Sequence, residues 1–169
     1  MADLTPPNTQ SPAAPVVEGT THLHSGKVRD LYRIDEGDSS LTYIPDHEPA
    51  LGADLDQLDE DWISGFALAR DTSLLIHDGQ YSDAEYPDHV GWGHSALNHA
   101  LAFARRTGAE RTQLFHHDPM HSDEHLDGLR EEARRRWVEL GGDADAVELA
   151  RERAEIELPA RATSPAATV

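Results

Sequence analysis

Between Val28 and Leu158 the apolar positions switch repeatedly between two rhythms. Short alternating or continuous apolar runs predict strands, and stretches with apolar residues every three or four positions predict helices. Val28–Ile34 and Leu41–Ile44 read as strands joined through the turn residues Glu36-Gly37-Asp38-Ser39-Ser40, giving a hairpin. Leu58, Ile63, Phe66, Ala67 and Ala69 fall at near-helical intervals and predict a helix over Asp56–Arg70. Ser73–His77, bounded by Asp71 and Gly79, predicts a buried strand, and Ser82–Tyr86 a single helical turn. Ser95–Thr107 places Leu97, Ala100, Leu101 and Ala104 on one face, with Ser95 as its cap and Gly108 as its stop. Arg111–His116 predicts the next strand. Ser122–Leu140 predicts a long charged helix, capped by Ser122, with Leu126, Leu129, Ala133 and Trp137 inward and Gly141-Gly142 at its end. Ala146–Ala150 and Ala154–Leu158 predict a closing pair of short strands. The alternation argues for a mixed α/β layer structure.

The two ends have no such rhythm. Residues 1–21 are rich in Pro, Ala, Thr and Ser and predict a disordered leader; residues 159–169 predict a disordered tail. The 169 residues suit one domain with a core of its own. With no cysteine, the chain offers neither a disulfide framework nor a thiolate metal site, so any metal must be held by His, Asp and Glu. The apolar runs are too short to cross a bilayer, and the N-terminus has neither the basic region nor the apolar core of a secretory signal, so a cytoplasmic protein with no membrane partner is expected. A formal charge of −18 opposes simple electrostatic binding to nucleic acid or to an anionic membrane. It leaves room for an anionic substrate at a metal site, because a bound dication reverses the local field.

Nine of the 11 histidines fall between Tyr43 and Asp127, seven of them in short islands: Asp46-His47-Glu48-Pro49, His77-Asp78, Gly93-His94-Ser95, and His116-His117-Asp118-Pro119 with His121 and His125. Asp46, His77 and His116 each end a predicted strand, and layered α/β folds bind ligands off strand ends. Imidazoles and carboxylates gathered there suit zinc or manganese. Strand alternation sends His116 and His117 to opposite faces, so at most one reaches a shared site. His121 and His125 stand i, i+4 at a helix start, a spacing that more often marks a solvated acidic first turn, with Asp123 and Glu124, than a metal pair. Ser95 reads as a helix cap before a nucleophile, Trp92 as a packing anchor before a substrate platform, and Arg130–Arg136 as a solvent face.

These islands resemble the metallo-β-lactamase superfamily of metal-dependent hydrolases, in its ribonuclease Z-like and phosphodiesterase-like branch. The resemblance rests on Tyr43-Ile44-Pro45-Asp46, on Leu74 to Asp78 followed by Gln80-Tyr81, on the Gly91–Ser95 turn, on Leu114 to Pro119, and on a closing pattern from Val147 to Leu158. It implies a partial αββα sandwich corresponding to the C-terminal half of that fold, over residues 33–158. It also implies Asp46 as a carboxylate bridging two metals and His116 as a terminal ligand. His77 and His94 would lie beside the scissile group or orient groups that do, and Asp78 and Asp118 would fix imidazole tautomers. The reaction implied is hydrolysis of a phosphodiester or similar ester in a small-molecule or nucleotide-like substrate, with one or two divalent ions, zinc or manganese. The family's His-x-His-x-Asp-His motif is absent from the sequence: His22-Leu23-His24 matches its opening pair, but Ser25-Gly26-Lys27 follows. An incomplete metal site is therefore expected, with a second ion only if further donors are supplied.

Residues 22–32 have a resemblance of their own. His24-Ser25-Gly26-Lys27-Val28-Arg29-Asp30-Leu31-Tyr32 is similar to the opening hairpin of the succinocarboxamide synthases of purine biosynthesis, which implies a phosphate contact for Lys27. A composite reading frame joined near Tyr32-Arg33-Ile34 is the economical expectation. Three functions follow: a truncated metallohydrolase, a fragment of an ATP-dependent ligase, and a non-catalytic acidic interaction module. Half of a layered fold should also expose an apolar sheet face, which makes a homo-oligomer an expectation.

Overall fold

The computed structural model describes residues 16–24 and 27–158, with side chains from Leu31 onward. Six strands form one sheet in sequence order: β1 (Val16–His24), β2 (Lys27–Glu36), β3 (Ser39–Ile44), β4 (Leu74–Asp78), β5 (Thr112–Phe115) and β6 (Val147–Leu149). β1, β2 and β3 run antiparallel, whereas β3–β4, β4–β5 and β5–β6 are parallel. The antiparallel part is a meander whose β2–β3 turn is Gly37-Asp38, as the turn residues predict. The parallel part needs crossovers, and these carry α1 (Phe66–Ala69), α2 (Leu97–Thr107) and α3 (Asp123–Glu139).

One sheet face lies under the helices. Leu31, Ile44, Leu75, Leu114, Val147 and Leu149 point there and share one buried cluster with Phe66, Leu101, Phe103, Ala104, Leu129 and Trp137. β3 shows the alternation directly, with Ser40, Thr42 and Ile44 buried and Ser39, Leu41 and Tyr43 only partly so. The opposite face carries a row of rings, with Tyr32 stacked on Tyr43 at 6.5 Å and Tyr43 tilted against Phe115 at 5.2 Å. The described chain is thus one helical layer on one sheet. No helix among the described residues is long and apolar enough to cross a membrane.

Several expectations are corrected. The helix predicted over Asp56–Arg70 is two single 3-10 turns, Leu55–Gln57 and Glu60–Trp62, followed by the four-residue α1. Gly65 breaks it: its φ of 73° is left-handed, and a Cβ there would stand 3.1 Å from Leu31 Cδ1 and 3.3 Å from Ile44 Cδ1. Ile63, Phe66 and Ala69 are buried nonetheless, with Leu58 partly buried and Ala67 exposed, so the apolar spacing reported burial in part and helix wrongly. The turn predicted at Ser82–Tyr86 is present as Ser82-to-Tyr86 bonding that leads into a 3-10 turn at Tyr86–Asp88. Ser95 does not cap α2. The flanking position is Ala96, and Ser95 is committed to the site described below.

The closing pair of strands is not formed. Val147–Leu149 adds to the edge of the sheet parallel to β5, and 154–158 is irregular. Leu126, expected inward, is only partly buried, whereas Leu129, Ala133 and Trp137 are buried as predicted. Val16–Thr21, read as part of the leader, lies in β1, where Val16, Val17, Thr20 and Thr21 suit a strand once β2 is there to pair with. The remainder of the leader, residues 1–15, and the tail, 159–169, lie outside the described residues, as does the Lys27 side chain.

The two long helices end as their sequences require. Ser122 accepts from His125 N–H at the start of α3. At the end of α2, Gly108 adopts φ 72° and its N–H reaches the Ala104 and Arg105 carbonyls. A Cβ at Gly108 would also come to 2.8 Å from Asp71 Oδ1. Gly108→Ala should therefore cost about 1–2 kcal/mol, chiefly for the left-handed backbone. Urea unfolding reads this as a lowered midpoint at unchanged slope.

Candidate metal centre

The carboxyl ends of three parallel strands lie side by side. Ile44 pairs with His77, and Asp78 with Phe115, so the residues leaving β3, β4 and β5 come to one edge of the sheet. Asp46 follows β3 by two residues, Asp78 is the last residue of β4, and His116 is the first after β5. His116 has φ 63°, a left-handed turn that takes it off the strand path. His94 arrives from the Gly91–Ser95 turn ahead of α2. One donor atom from each of Asp46, Asp78, His94 and His116 lies within 4.8 Å of all the others.

Asp78 is the fixed point of this group. Its side chain is fully buried, and Oδ2 accepts from His94 Nδ1 at 2.7 Å and His116 Nδ1 at 3.1 Å. Oδ1 accepts from the backbone N–H groups of Ser95 at 2.9 Å and Gln80 at 3.2 Å. Burial pushes the Asp78 carboxyl up, but the hydrogen bonds from His116, His94 and Ser95 outweigh it and bring it down to about 2. Asp46 is the open member, with half of its side chain exposed; its Oδ1 stands 3.2 Å from His116 Nδ1 and 3.9 Å from His94 Nδ1. The group therefore has a rigid buried wall and an accessible mouth.

Two further histidines stand behind it and do not enter it. His77 is fully buried, and its Nδ1 lies 2.7 Å from the Asp78 backbone carbonyl. A carbonyl only accepts, so His77 carries its proton on Nδ1, and Nε2 accepts from His47 Nδ1–H at 2.7 Å. Burial holds His77 down to about 4, against the pull of the neighbouring Asp78, so it stays neutral near pH 7. His47 Nε2 in turn meets Ser64 Oγ at 2.8 Å. The result is a line of hydrogen bonds from Ser64 through two imidazoles to the Asp78 backbone. Ser95 closes it from the other side, donating through Oγ to the His47 carbonyl at 2.7 Å.

The turn that delivers His94 is held by Glu48. This buried carboxylate accepts from the N–H groups of Gly91 and Gly93, each at 2.8 Å, and from Tyr86 Oη at 2.6 Å. Burial and the Glu48 charge raise the Tyr86 phenol well above its ordinary range, so it remains a donor.

The residues singled out from sequence divide accordingly. Asp46, His94 and His116 converge, and Asp78 joins them directly through both imidazoles. His77 lies one layer in, on the helix-covered face. Asp118 makes a local turn instead, accepting from Met120 N–H at 2.8 Å. Trp92 is 58% exposed and its ring meets His89 edge-on at 4.7 Å, so it is not the packing anchor its position implied. Glu48 and His47 were missed as individual functional residues. Their only sequence signal was membership of the Asp46–Pro49 island.

The donor set fits a divalent metal on its own chemistry. It offers two imidazole nitrogens and two carboxylates, one already ionised by its hydrogen bonds, at mutual separations that a single ion of zinc size spans. That meets the three-ligand minimum of a catalytic zinc site for one ion.

No protein-family model matches the sequence, and no curated protein matches it. Solved structures do. Over 87% of its length the chain is similar to the short form of human tRNase Z, at 21% identity and a TM-score of 0.58, covering 43% of that protein. Over 83% of its length it is similar to the metallo-β-lactamase fold protein YhfI from Bacillus subtilis, at 20% identity and a TM-score of 0.56, covering 51% of it. The chain thus spans about half the length, or less, of the proteins it matches. It folds as part of a metallo-β-lactamase sandwich, resembling tRNase Z in the portion that it spans.

Proposed function

We propose that this chain carries the strand-end half of a hydrolase site for phosphodiesters or similar esters, with one divalent ion held by Asp46, Asp78, His94 and His116. The single observation that carries the reading is the convergence of those four donors within 4.8 Å at the carboxyl ends of parallel strands. The likeness to tRNase Z favours a phosphodiester in a nucleotide-like substrate over other esters. Bound there, zinc or manganese would lower the pKa of water and offset the negative charge that develops on phosphorus oxygens.

The chain's own residues have separate tasks in this reading. Asp78 Oδ2 meets the Nδ1 atoms of both His94 and His116 at the buried wall and so holds their rings against rotation. Glu48 fixes the Gly91–Gly93 backbone, and with it the position of His94. His77 and His47 exclude water behind Asp78 and lock its backbone from inside, which gives His77 the orienting role, one of the two the resemblance implies, rather than contact with the scissile group. Asp46 faces solvent and is the member free to meet an incoming substrate or water.

The test is zinc or manganese titration by calorimetry, with hydrolysis of a chromogenic phosphodiester measured in parallel. The whole chain should bind and hydrolyse. Asp46→Ala and His116→Ala should each lower both affinity and rate by about 100-fold or more, because each removes a donor from a set near the catalytic minimum. A chain that binds neither metal, or whose hydrolysis survives Asp46→Ala, ends this reading.

A further inference from the structure

A second group of donors lies on the other side of the segment that follows β4. One atom from each of Glu85, His121 and His125 stands within 4.8 Å of the other two. His121 precedes the Ser122 cap of α3 and His125 lies one turn into the helix, so their rings face each other with centroids 4.2 Å apart. Glu85 comes from the turn at Ser82–Tyr86. Its Oε2 is occupied by Ser82, through the backbone N–H at 2.8 Å and Oγ at 2.6 Å, and Oε1 points at His121 Nε2 at 2.9 Å. A carboxylate held by one oxygen and presenting the other is the arrangement expected of a supported ligand.

From this geometry we infer a second divalent-cation site, a His2Glu zinc site formed by Glu85, His121 and His125, separate from the strand-end cluster. An independent observation points the same way. The His121 side chain is only 6% exposed, yet its Nδ1 has no hydrogen-bond partner among the described residues. Buried polar atoms are nearly always satisfied, and Glu85 takes only one of the two His121 nitrogens, so the ion pair by itself leaves this buried ring incompletely satisfied. The donor set, two imidazoles and one carboxylate, is of the type that suits zinc with one position open to water. The start of α3 opposes a cation, but Asp123 and Glu124 in its first turn offset that field.

Zinc here would pin the turn after β4 to the first turn of α3, as the Asp83–Arg136 ion pair ties it to the last turn of the same helix. Tyr81, immediately before that turn, lies edge-on to His94 at 6.1 Å, so the site would brace one side of the strand-end cluster. It stands whether or not that cluster binds a metal.

Zinc titration of the full chain by calorimetry, with imidazole signals of His121 and His125 followed by nitrogen-detected magnetic resonance, tests this. His125 is exposed on a helix, so His125→Ala keeps the fold. The variant should lose one zinc equivalent, or weaken it by at least about 100-fold, the upper end of what loss of a merely supporting partner costs. Asp46→Ala/His116→Ala should retain that same equivalent, and both imidazole signals should shift in it when zinc is added. Equal stoichiometry in the whole chain and in His125→Ala, or His121 signals unmoved at saturating zinc, would mean an ordinary Glu85–His121 ion pair and overturn the proposal.

Discussion

Asp78→Ala is expected to destabilise the chain by about 3 kcal/mol and to weaken metal binding at the strand-end cluster by about 10–100-fold or more. The stability loss arises because the carboxylate is fully buried and serves four donors at once. Ser95 N–H, Gln80 N–H and His94 Nδ1 would lose this acceptor, while His116 Nδ1 keeps Asp46 Oδ1 at 3.2 Å. Leaving a buried donor unpaired costs about 1–3 kcal/mol each, less whatever water recovers at the half-open side. The affinity loss arises because nothing else fixes both imidazoles at once. Asp46→Ala is the control: its side chain is half exposed, so its removal should move stability by no more than about 0.5 kcal/mol while still weakening the metal. Urea unfolding without metal and calorimetry with it separate the two effects. An Asp78→Ala midpoint indistinguishable from the parent chain would show that this carboxylate is not the fixed point described above.

That pair of outcomes also marks where the sequence was readable. Asp46 and His116 were placed together correctly because strand ends in a parallel sheet are neighbours, and each strand was marked by its own apolar run. Asp78 was read as a helper and His77 as a residue at the scissile group or one that orients such residues, yet alternation sends adjacent strand residues to opposite sides. The same rule that separated His116 from His117 separates His77 from Asp78, and Leu75 and His77 share the helix-covered face. α2 and α3 were legible from their period, from the Gly108 stop of α2 and from the Ser122 cap of α3. The segment between Asp56 and Arg70 was not, because its apolar residues are buried from three short turns and one glycine conformation decides the path. β1 escaped because Val16–Thr21 was read with the Pro-, Ala-, Thr- and Ser-rich leader that precedes it. Val147–Leu149 was read as a strand but given the wrong partner, since it pairs with β5 across the α3 crossover and not with 154–158. Glu48 carried no local signal, since its partners, Tyr86, Gly91 and Gly93, lie some forty residues further on.

Phe103→Ala should be the most damaging single truncation, at about 3–5 kcal/mol, a large part of the stability of an ordinary domain. Phe103 is wholly buried on the inner face of α2 and touches both the apolar core and the histidine line. Its ring meets Phe66 edge-on at 6.4 Å and His47 edge-on at 5.1 Å, and lies tilted over His77 at 4.8 Å. Truncation removes transfer energy and leaves a cavity whose walls, two strands and a helix, cannot close far. Phe103→Leu keeps most of the volume and should cost roughly 1–2 kcal/mol. It still withdraws the flat surface against which His77 packs. If the His47–His77 line positions Asp78, then Phe103→Leu lowers metal affinity as well as stability, whereas a truncation of equal cost far from that line lowers stability alone. Leu129→Ala on α3 is the matched comparison, buried in the same core but in none of the ring contacts around His77. Equal metal affinity in the two variants at matched stability would show that the histidine line supports the fold and not the site.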